Sequence, residues 1–352
     1  DKLTLNYGLR YSRFNRLGGQ NVMNYVDDMP VVYNEELDIY EEGKETENTF
    51  YKKSESIETF DNFEPRLGLA YQLNTSSSVK ASFTQTSQYL HLLSNTSSVT
   101  PLDVWTPSGK YIKPQLSKQY ALGYYKNFKD NKYTLELETY YKDVDNRIDY
   151  VDGSNLIGTN TIETEILNGE ARAYGLEVML RKNKGRFTGW LAYTLSKSEQ
   201  RTLGGNVGGL GINDGNWYNT AYDRTHDISI TGIYKLNDRW NFSANAVFQT
   251  GRPVTYPNGQ YEYEGLAIAS FSGRNESRLP AYHRLDLSAT YSPKNNLNRK
   301  WKGEWVFGIY NAYNRKNAAS ISFRQNDETG INEASRTAIF GLIPSITYNF
   351  KF

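Results

Sequence analysis

Apolar and polar residues alternate along most of this chain. In the clearest example every second residue from Leu3 to Tyr11 is apolar, and the residues between them are polar or small. Successive side chains of a β-strand point to opposite faces, so this pattern predicts a strand with one apolar face. The pattern recurs and predicts twelve strands, centred on residues 3–11, 67–73, 79–83, 120–124, 133–137, 174–180, 187–195, 228–230, 240–248, 285–291, 305–309 and 340–352.

The connections between the predicted strands alternate between short and long. The short ones are rich in Asn, Asp, Gly, Ser and Lys, which favour tight turns, and they cover residues 74–77, 129–132, 183–185, 237–238 and about 293–299. The long ones cover about 15–62, 89–115, 145–170, 201–221, 252–279 and 315–335. Short turns at one end and long loops at the other are typical of outer-membrane β-barrels, whose long loops are extracellular.

Composition narrows the class of protein further. Lys and Arg number 40 and Asp and Glu 39, which excludes the strongly basic surface of a dedicated nucleic-acid-binding protein. The absence of Cys excludes disulfides, thiolate catalysis and Cys-based zinc sites. Aromatic residues make up 14% of the chain, and an aromatic-rich apolar face is favourable in lipid and unfavourable in water. We therefore predict an all-β transmembrane antiparallel barrel in the outer membrane of a Gram-negative bacterium, in contact with its lipid, rather than a soluble sandwich.

Eight segments resemble those of a known protein family in sequence, order and spacing: residues 63–71, 113–123, 173–177, 222–227, 250–255, 278–287, 313–317 and 344–352. Together they resemble the C-terminal part of the barrel of a TonB-dependent outer-membrane transporter of the Bacteroidetes type. The resemblance implies a barrel of about 22 strands with a plug in its lumen. Residues 1–352 would then be the C-terminal barrel portion, about 12 strands, with the plug and the first strands absent.

The resemblance also implies a function. Such transporters take up nutrients such as siderophores, haem, cobalamin, glycans or peptides, and TonB with ExbB and ExbD supplies the energy through the plug. It implies no enzymatic activity and no cofactor. No signal peptide precedes the first strand, so we expect that one was removed or that the chain begins partway through a longer protein.

The last predicted strand places three aromatic residues on one face, Tyr348, Phe350 and Phe352. They resemble the signal that the Bam machinery reads during outer-membrane assembly, and an exposed edge strand is physically suited to pair with another sheet. Four charged residues alternate with apolar ones and are predicted to face the lumen and contact the plug: Glu136, Glu138, Arg284 and Asp286.

Four further residues are predicted at the extracellular rim: Asp223, Arg224, His226 and Arg252. His226 and its acidic neighbours have the ligand types of a metal site, but no second nearby His completes one, so we predict an anchoring network and no metal. The loop 15–62 is acidic and interleaved with aromatic residues, which suits contact with a glycan or with a surface lipoprotein. The glycine-rich segment 204–211 lacks the ending of a phosphate-binding loop and is interpreted as a flexible extracellular loop.

Two alternatives remain open from the sequence. The chain could be a complete 12-stranded barrel that acts as a pore or an outer-membrane hydrolase, although neither His226 nor His283 has a paired Ser in a recognisable motif. It could also be a structural or assembly partner that reuses the transporter fold.

Overall fold

One antiparallel sheet dominates the computed structural model, which describes residues 2–93, 104–154, 161–293, 302–326, 329–330 and 332–351. Twelve strands follow one another through this sheet in sequence order, each paired with its antiparallel neighbours. They are β1 (Leu3–Leu17), β2 (Ser56–Asn74), β3 (Ser77–Gln88), β4 (Gln115–Phe128), β5 (Tyr133–Tyr150), β6 (Ile166–Lys182), β7 (Phe187–Arg201), β8 (His226–Lys235), β9 (Trp240–Gln249), β10 (Tyr282–Tyr291), β11 (Lys302–Tyr310) and β12 (Ile343–Lys351).

The prediction of an all-β chain with twelve strands is confirmed. The last strand was predicted from residue 340, but it begins at Ile343, so Phe340 and Leu342 belong to the connection before it. Pro344 is paired with Ile309 in regular register. Because proline has no backbone N–H, Pro344 removes one hydrogen-bond donor from the ladder of β12.

Among the described residues, five of the six long connections carry short strands of their own, and the third, between β5 and β6, holds a single turn of 3-10 helix. The first connection, between β1 and β2, holds two pairs, Gln20–Val22 with Thr49–Tyr51 and Val31–Asn34 with Ile39–Glu42. The second, between β3 and β4, pairs Leu90–Leu93 with Val104–Pro107. Tyr218–Asn219 of the fourth, between β7 and β8, pairs with β7. The fifth and sixth, after β9 and β11, hold the pairs Pro253–Val254 with Ser277–Arg278, Pro257–Tyr263 with Leu266–Phe271, and Ser320–Gln325 with Asn332–Thr337.

Helical structure in the described residues is limited to four single turns of 3-10 helix, Val26–Asp28, Ile162–Thr164, Gly205–Val207 and Ile212–Gly215. In the same part of the chain, no helix has the length and apolar character needed to cross a bilayer.

The sheet presents its large apolar side chains to the outside. Leu122 on β4, Ile230 on β8 and Phe307 on β11 are 51%, 44% and 41% exposed, although each lies within a long paired strand. Polar and charged side chains occupy the alternate positions on the opposite face. A soluble sheet would bury its apolar face, whereas a sheet in a bilayer turns that face to lipid.

Both ends of the sheet are open. β1 pairs with β2 and β12 pairs with β11, and these two strands end the sheet order. Every residue of β12 is exposed, as are the first nine residues of β1. An unpaired strand edge leaves backbone N–H and C=O groups available to another strand.

The buried apolar residues of the molecule lie mainly around the long connections. One cluster joins the first, third and fourth connections with the ends of β6 and contains Val31, Val151, Leu167, Ile212 and Tyr218. A second packs the second connection against the ends of β5 and β6. The connections are therefore a packed layer at one end of the sheet.

The glycine-rich segment 204–211 belongs to this packed layer instead of forming a free loop. The hydroxyl of Tyr40 accepts a hydrogen bond from the backbone N–H of Gly211 at 2.8 Å. A Cβ atom on Gly211 would lie 2.1 Å from the carbonyl oxygen of Thr202, and its φ of +93° also disfavours any other residue. Glycine at this position lets the backbone around Thr202 and Gly211, both in the fourth connection, approach closely.

Candidate functional site

A cavity of about 790 Å³ lies between the ends of β5 and β7 and the fourth, fifth and sixth long connections. Its volume is within the range of small-molecule sites. Its wall combines three Arg side chains, one Asp and several aromatic rings.

A β-bulge directs β5 toward this cavity. Asn146, whose φ is +57°, is an extra residue without a partner in β6. Asp145 and Arg147 are therefore paired with adjacent residues of β6 although they are two positions apart. Because neighbours in a strand point to opposite faces, the bulge moves Arg147 and Asp149 from the apolar face to the polar face. Both of these side chains line the cavity.

Asp149 and Arg274 form a buried ion pair in the cavity wall. Arg274 Nη1 lies 3.0 Å from Asp149 Oδ1, and each side chain is 9% exposed. Gln200 Nε2 donates to the other carboxylate oxygen at 2.6 Å, and the Tyr218 hydroxyl donates to it as well. Full pairing of this kind is what makes burial of the two charges tolerable.

Arg274 joins the fifth connection to the third. It donates to the carbonyl oxygen of Tyr150 at 2.7 Å, its guanidinium stacks over the Tyr150 ring, and it pairs with Asp152. Burial opposes the charged form, but Asp149 and Asp152 outweigh it and raise the pKa of Arg274. Burial and then Asp149 raise the pKa of Tyr218, so its hydroxyl stays a donor. This network fixes the cavity wall.

The other two Arg side chains of the cavity have no acidic partner among the residues that the structure describes. Arg147 Nε contacts the Gln200 side-chain oxygen at 3.4 Å, and Arg252 Nη2 donates to the backbone oxygen of Ala319 at 3.2 Å. Within the described residues no carboxylate lies at ion-pair distance from either guanidinium. Arg252 also lines a smaller neighbouring cavity together with Arg224.

Aromatic rings form another part of the wall. Tyr256 packs edge-on against Phe323, with ring centroids 5.0 Å apart, and Phe271 and Tyr222 line the same space. The Tyr256 hydroxyl is buried and has no hydrogen-bond partner in the part of the chain that the structure describes. Tyr222 is 64% exposed and lies at the mouth of the cavity.

The four residues predicted at the rim each have different partners. Asp223 is buried, accepts a hydrogen bond from the Ser198 backbone at 2.7 Å, and pairs with Arg278. Arg224 donates to Gln249 at 2.7 Å. The His226 ring stacks on the ring of Tyr193, which lies on the apolar face of β7. Arg252 reaches the cavity.

The residues predicted to face the lumen lie on the polar face, by the register of their strands. Glu138, on β5 with Glu136, accepts a hydrogen bond from the Tyr125 hydroxyl. Arg284 pairs with Asp286 at 2.9 Å and donates to the hydroxyls of Tyr282 and Tyr310.

Of the predicted assembly residues, Tyr348 and Phe350 lie on β12 and share a face. Tyr348 packs on Trp305 of β11, with ring centroids 4.8 Å apart. Phe352 lies outside the described residues.

Arg147, Asp149 and Arg274 line the cavity but were not predicted as site residues from the sequence. The first two follow the bulge, and the third lies in a connection whose path depends on distant contacts. Among the described residues, no group of three His, Asp or Glu side chains is arranged to hold a metal ion.

His91 is buried in the second connection, close to the cavity. The Gln115 side-chain nitrogen, which can only donate, lies 3.0 Å from Nδ1. The ring proton is therefore on Nε2, which donates to the Ser108 hydroxyl at 2.9 Å. Burial, and next the charge of Arg147, lower the pKa of His91 to about 4.

Comparison with known proteins identifies the fold. The family model described as TonB dependent receptor-like, beta-barrel matches residues 1–312. Among solved structures, the ferric-catecholate import receptor Fiu from Escherichia coli K12 aligns with a TM-score of 0.54 and 15% identity over 99% of this chain and 42% of its own. The siderophore receptor PiuA from Acinetobacter baumannii aligns with a TM-score of 0.58 and 14% identity, over 99% of this chain and 41% of its own.

A third structure, the FrpB iron transporter from Neisseria meningitidis, gives a TM-score of 0.54 and 12% identity, covering all of this chain and 43% of its own. At these identities the likeness concerns the fold. The chain spans about two fifths of the length of these structures. No match was found among curated proteins.

His91 should make the second connection sensitive to acid. Its ordinary pKa is 6.5, so as the pH falls from 6.5 toward 4 the unfolded connection binds a proton that the folded one does not. Local stability is then complete above pH 6.5 and decreases below it, by at most about 1.4 kcal/mol for each pH unit. Hydrogen exchange of residues 89–93 and 104–115, corrected for intrinsic rates, should show this loss.

In His91→Gln the same exchange should no longer depend on pH in this range, and the matched control His283→Gln should behave like the parent. An equal pH dependence in His91→Gln and the parent would refute the assignment.

Proposed function

Because this chain belongs to the family of TonB-dependent receptor β-barrels of the Gram-negative outer membrane, we propose that it serves energised uptake of a nutrient. The observation that carries the proposal is the family match over residues 1–312 of a chain whose twelve strands turn their apolar face outward. The packed connections then lie outside the cell, since long loops of such barrels are extracellular.

We further propose that this chain is the C-terminal part of the barrel of a larger transporter. The open edges of β1 and β12, and the coverage of about two fifths of each similar structure, support this proposal. Further strands would pair with both edges to close a barrel of about 22 strands around a plug. The plug would contact Glu136, Glu138, Arg284 and Asp286 and would connect the protein to TonB, ExbB and ExbD.

The substrate class is open among siderophores, haem, cobalamin, glycans and peptides. Fiu is named for ferric-catecholate import, PiuA for siderophores and FrpB for iron. These names favour an iron-bearing complex, and the cavity at the extracellular end is the proposed place of its binding.

Hydrolysis is not favoured by the contacts of His91. His91 is hydrogen-bonded to Ser108, and a His and a Ser can act as base and nucleophile in a hydrolase. Here both side chains are almost fully buried, and Gln115 stands where a hydrolase has a carboxylate that orients the His. A substrate could not reach this pair.

The first connection is the proposed contact for a surface lipoprotein. Of its aromatic residues, Tyr25 is buried and Tyr33 packs on Tyr40. Phe50 is 64% exposed and remains open to a partner.

Deletion of the gene in its native bacterium tests the function. The deletion strain is expected to lose growth on one source among ferric siderophores, haem, cobalamin, glycans and peptides, and the wild type should lose the same uptake when an uncoupler collapses the proton gradient. Expression of the intact gene should restore it. Uptake that persists after uncoupling would refute energised transport and favour a passive pore.

We propose that Tyr348, Phe350 and Phe352 form a signal for the Bam machinery. Phe350 is exposed on the edge strand β12, where it adds apolar area to any strand that pairs there. Phe350→Ala is expected to lower the amount of heat-modifiable barrel in the outer membrane severalfold. Phe340→Ala is the matched control, because Phe340 is an exposed aromatic residue just before β12. Equal amounts of barrel for Phe350→Ala and Phe340→Ala would contradict the signal.

A further inference from the structure

The cavity at the extracellular end carries an excess of positive charge. Three guanidinium groups line it, those of Arg147, Arg252 and Arg274, against the single carboxylate of Asp149. Asp149 and Arg274 neutralise each other in a buried pair. The two remaining charges, on Arg147 and Arg252, are uncompensated by the other described residues of the wall. A partly enclosed site with two unpaired guanidinium groups attracts anions and repels cations.

The two guanidinium groups have donors to spare. Each makes one long hydrogen bond to a neutral oxygen, at 3.4 Å for Arg147 and 3.2 Å for Arg252. A guanidinium offers five N–H donors in a planar fork that fits a carboxylate or phosphate. Because of the bulge at Asn146, the backbone of β5 places Arg147 on the face that lines the cavity.

The aromatic part of the wall fits a flat group. Phe271, Phe323 and Tyr256 present ring surfaces to the same space, and Tyr222 is at its mouth. Tyr256 contributes its ring to this wall, and its hydroxyl is buried. Arg252 lies close enough to Tyr256 to influence its electrostatic environment. Charge and ring surface therefore meet at one place.

We propose that this cavity binds an anionic ligand that carries a planar ring, with Arg147 and Arg252 holding its anionic groups and Tyr256, Phe271 and Phe323 contacting its ring. The inference rests on the proposed function, because it names the chemical class of the transported molecule. It separates this class from neutral glycans and from cationic peptides.

Three small probes separate the charge from the ring. Trimesate has three carboxylates on a benzene ring, tricarballylate has three carboxylates and no ring, and benzenetrimethanol has the ring without charge. Binding is measured by calorimetry and by saturation-transfer NMR on the protein purified in detergent from its native outer membrane. Trimesate is expected to bind at least about tenfold more tightly than either of the other two.

Variants then assign the residues. The double variant Arg147→Gln, Arg252→Gln should weaken trimesate binding at least about tenfold, whereas Arg186→Gln, in the short turn between β6 and β7, should leave it unchanged. Phe323→Leu should weaken the binding of trimesate and leave the binding of tricarballylate unchanged. If the double variant does not fold, as judged by heat-modifiable migration, Arg252→Gln and Arg252→Lys replace it, and the Lys variant should bind better than the Gln variant.

The inference is overturned if benzenetrimethanol binds as well as trimesate, or if the folded double variant or Arg252→Gln keeps the parental affinity. The experiments distinguish failure of this inference from failure of the proposed function. Uptake that needs the proton gradient, combined with unchanged trimesate binding in the variants, overturns the ligand class alone. Uptake that ignores the gradient, combined with the expected binding pattern, overturns energised transport alone.

Discussion

Backbone hydrogen bonding in lipid is the constraint on which this structure depends. The hydrocarbon core offers no water, so every peptide N–H and C=O group must be paired within the protein, and a sheet achieves this only between strands. Twelve consecutive antiparallel strands satisfy one another here, and the groups left over belong to the outer edges of β1 and β12. Those edges lead directly to the proposal of a larger barrel, because an unpaired edge in lipid is costly.

The same constraint determines where the buried apolar residues lie. With the apolar face of the sheet turned to lipid, the buried contacts gather in the long connections, around residues such as Val31, Ile212 and Leu93. There Arg274 of the fifth connection forms ion pairs with Asp149 at the end of β5 and with Asp152 of the third connection. A rigid wall results, and it holds Arg147 and Arg252 at the cavity with no acidic partner in the described residues. Packing outside the membrane thus shapes the proposed binding site.

The strands were predictable from the sequence because their signal is local: a period of two persists over many residues in each. The site was only partly predictable. Arg252 was placed at the rim, but Arg147 and Asp149 were not, since the bulge at Asn146 changes their face and leaves only a break in alternation as a sequence signal. Arg274 and its partners are 125 and 122 positions apart in the chain (274 minus 149 and 274 minus 152), a separation that no local pattern reports. The packing of the glycine-rich segment on Tyr40 escaped prediction for the same reason.

The intact mass of the polypeptide purified from its native outer membrane decides whether these twelve strands belong to a larger barrel. The chain described by this sequence has a mass of 40.4 kDa. A closed barrel of about 22 strands with a plug predicts a mass of roughly twice that value or more. A mass near 40.4 kDa would contradict the account, because the edges of β1 and β12 would then have to meet each other.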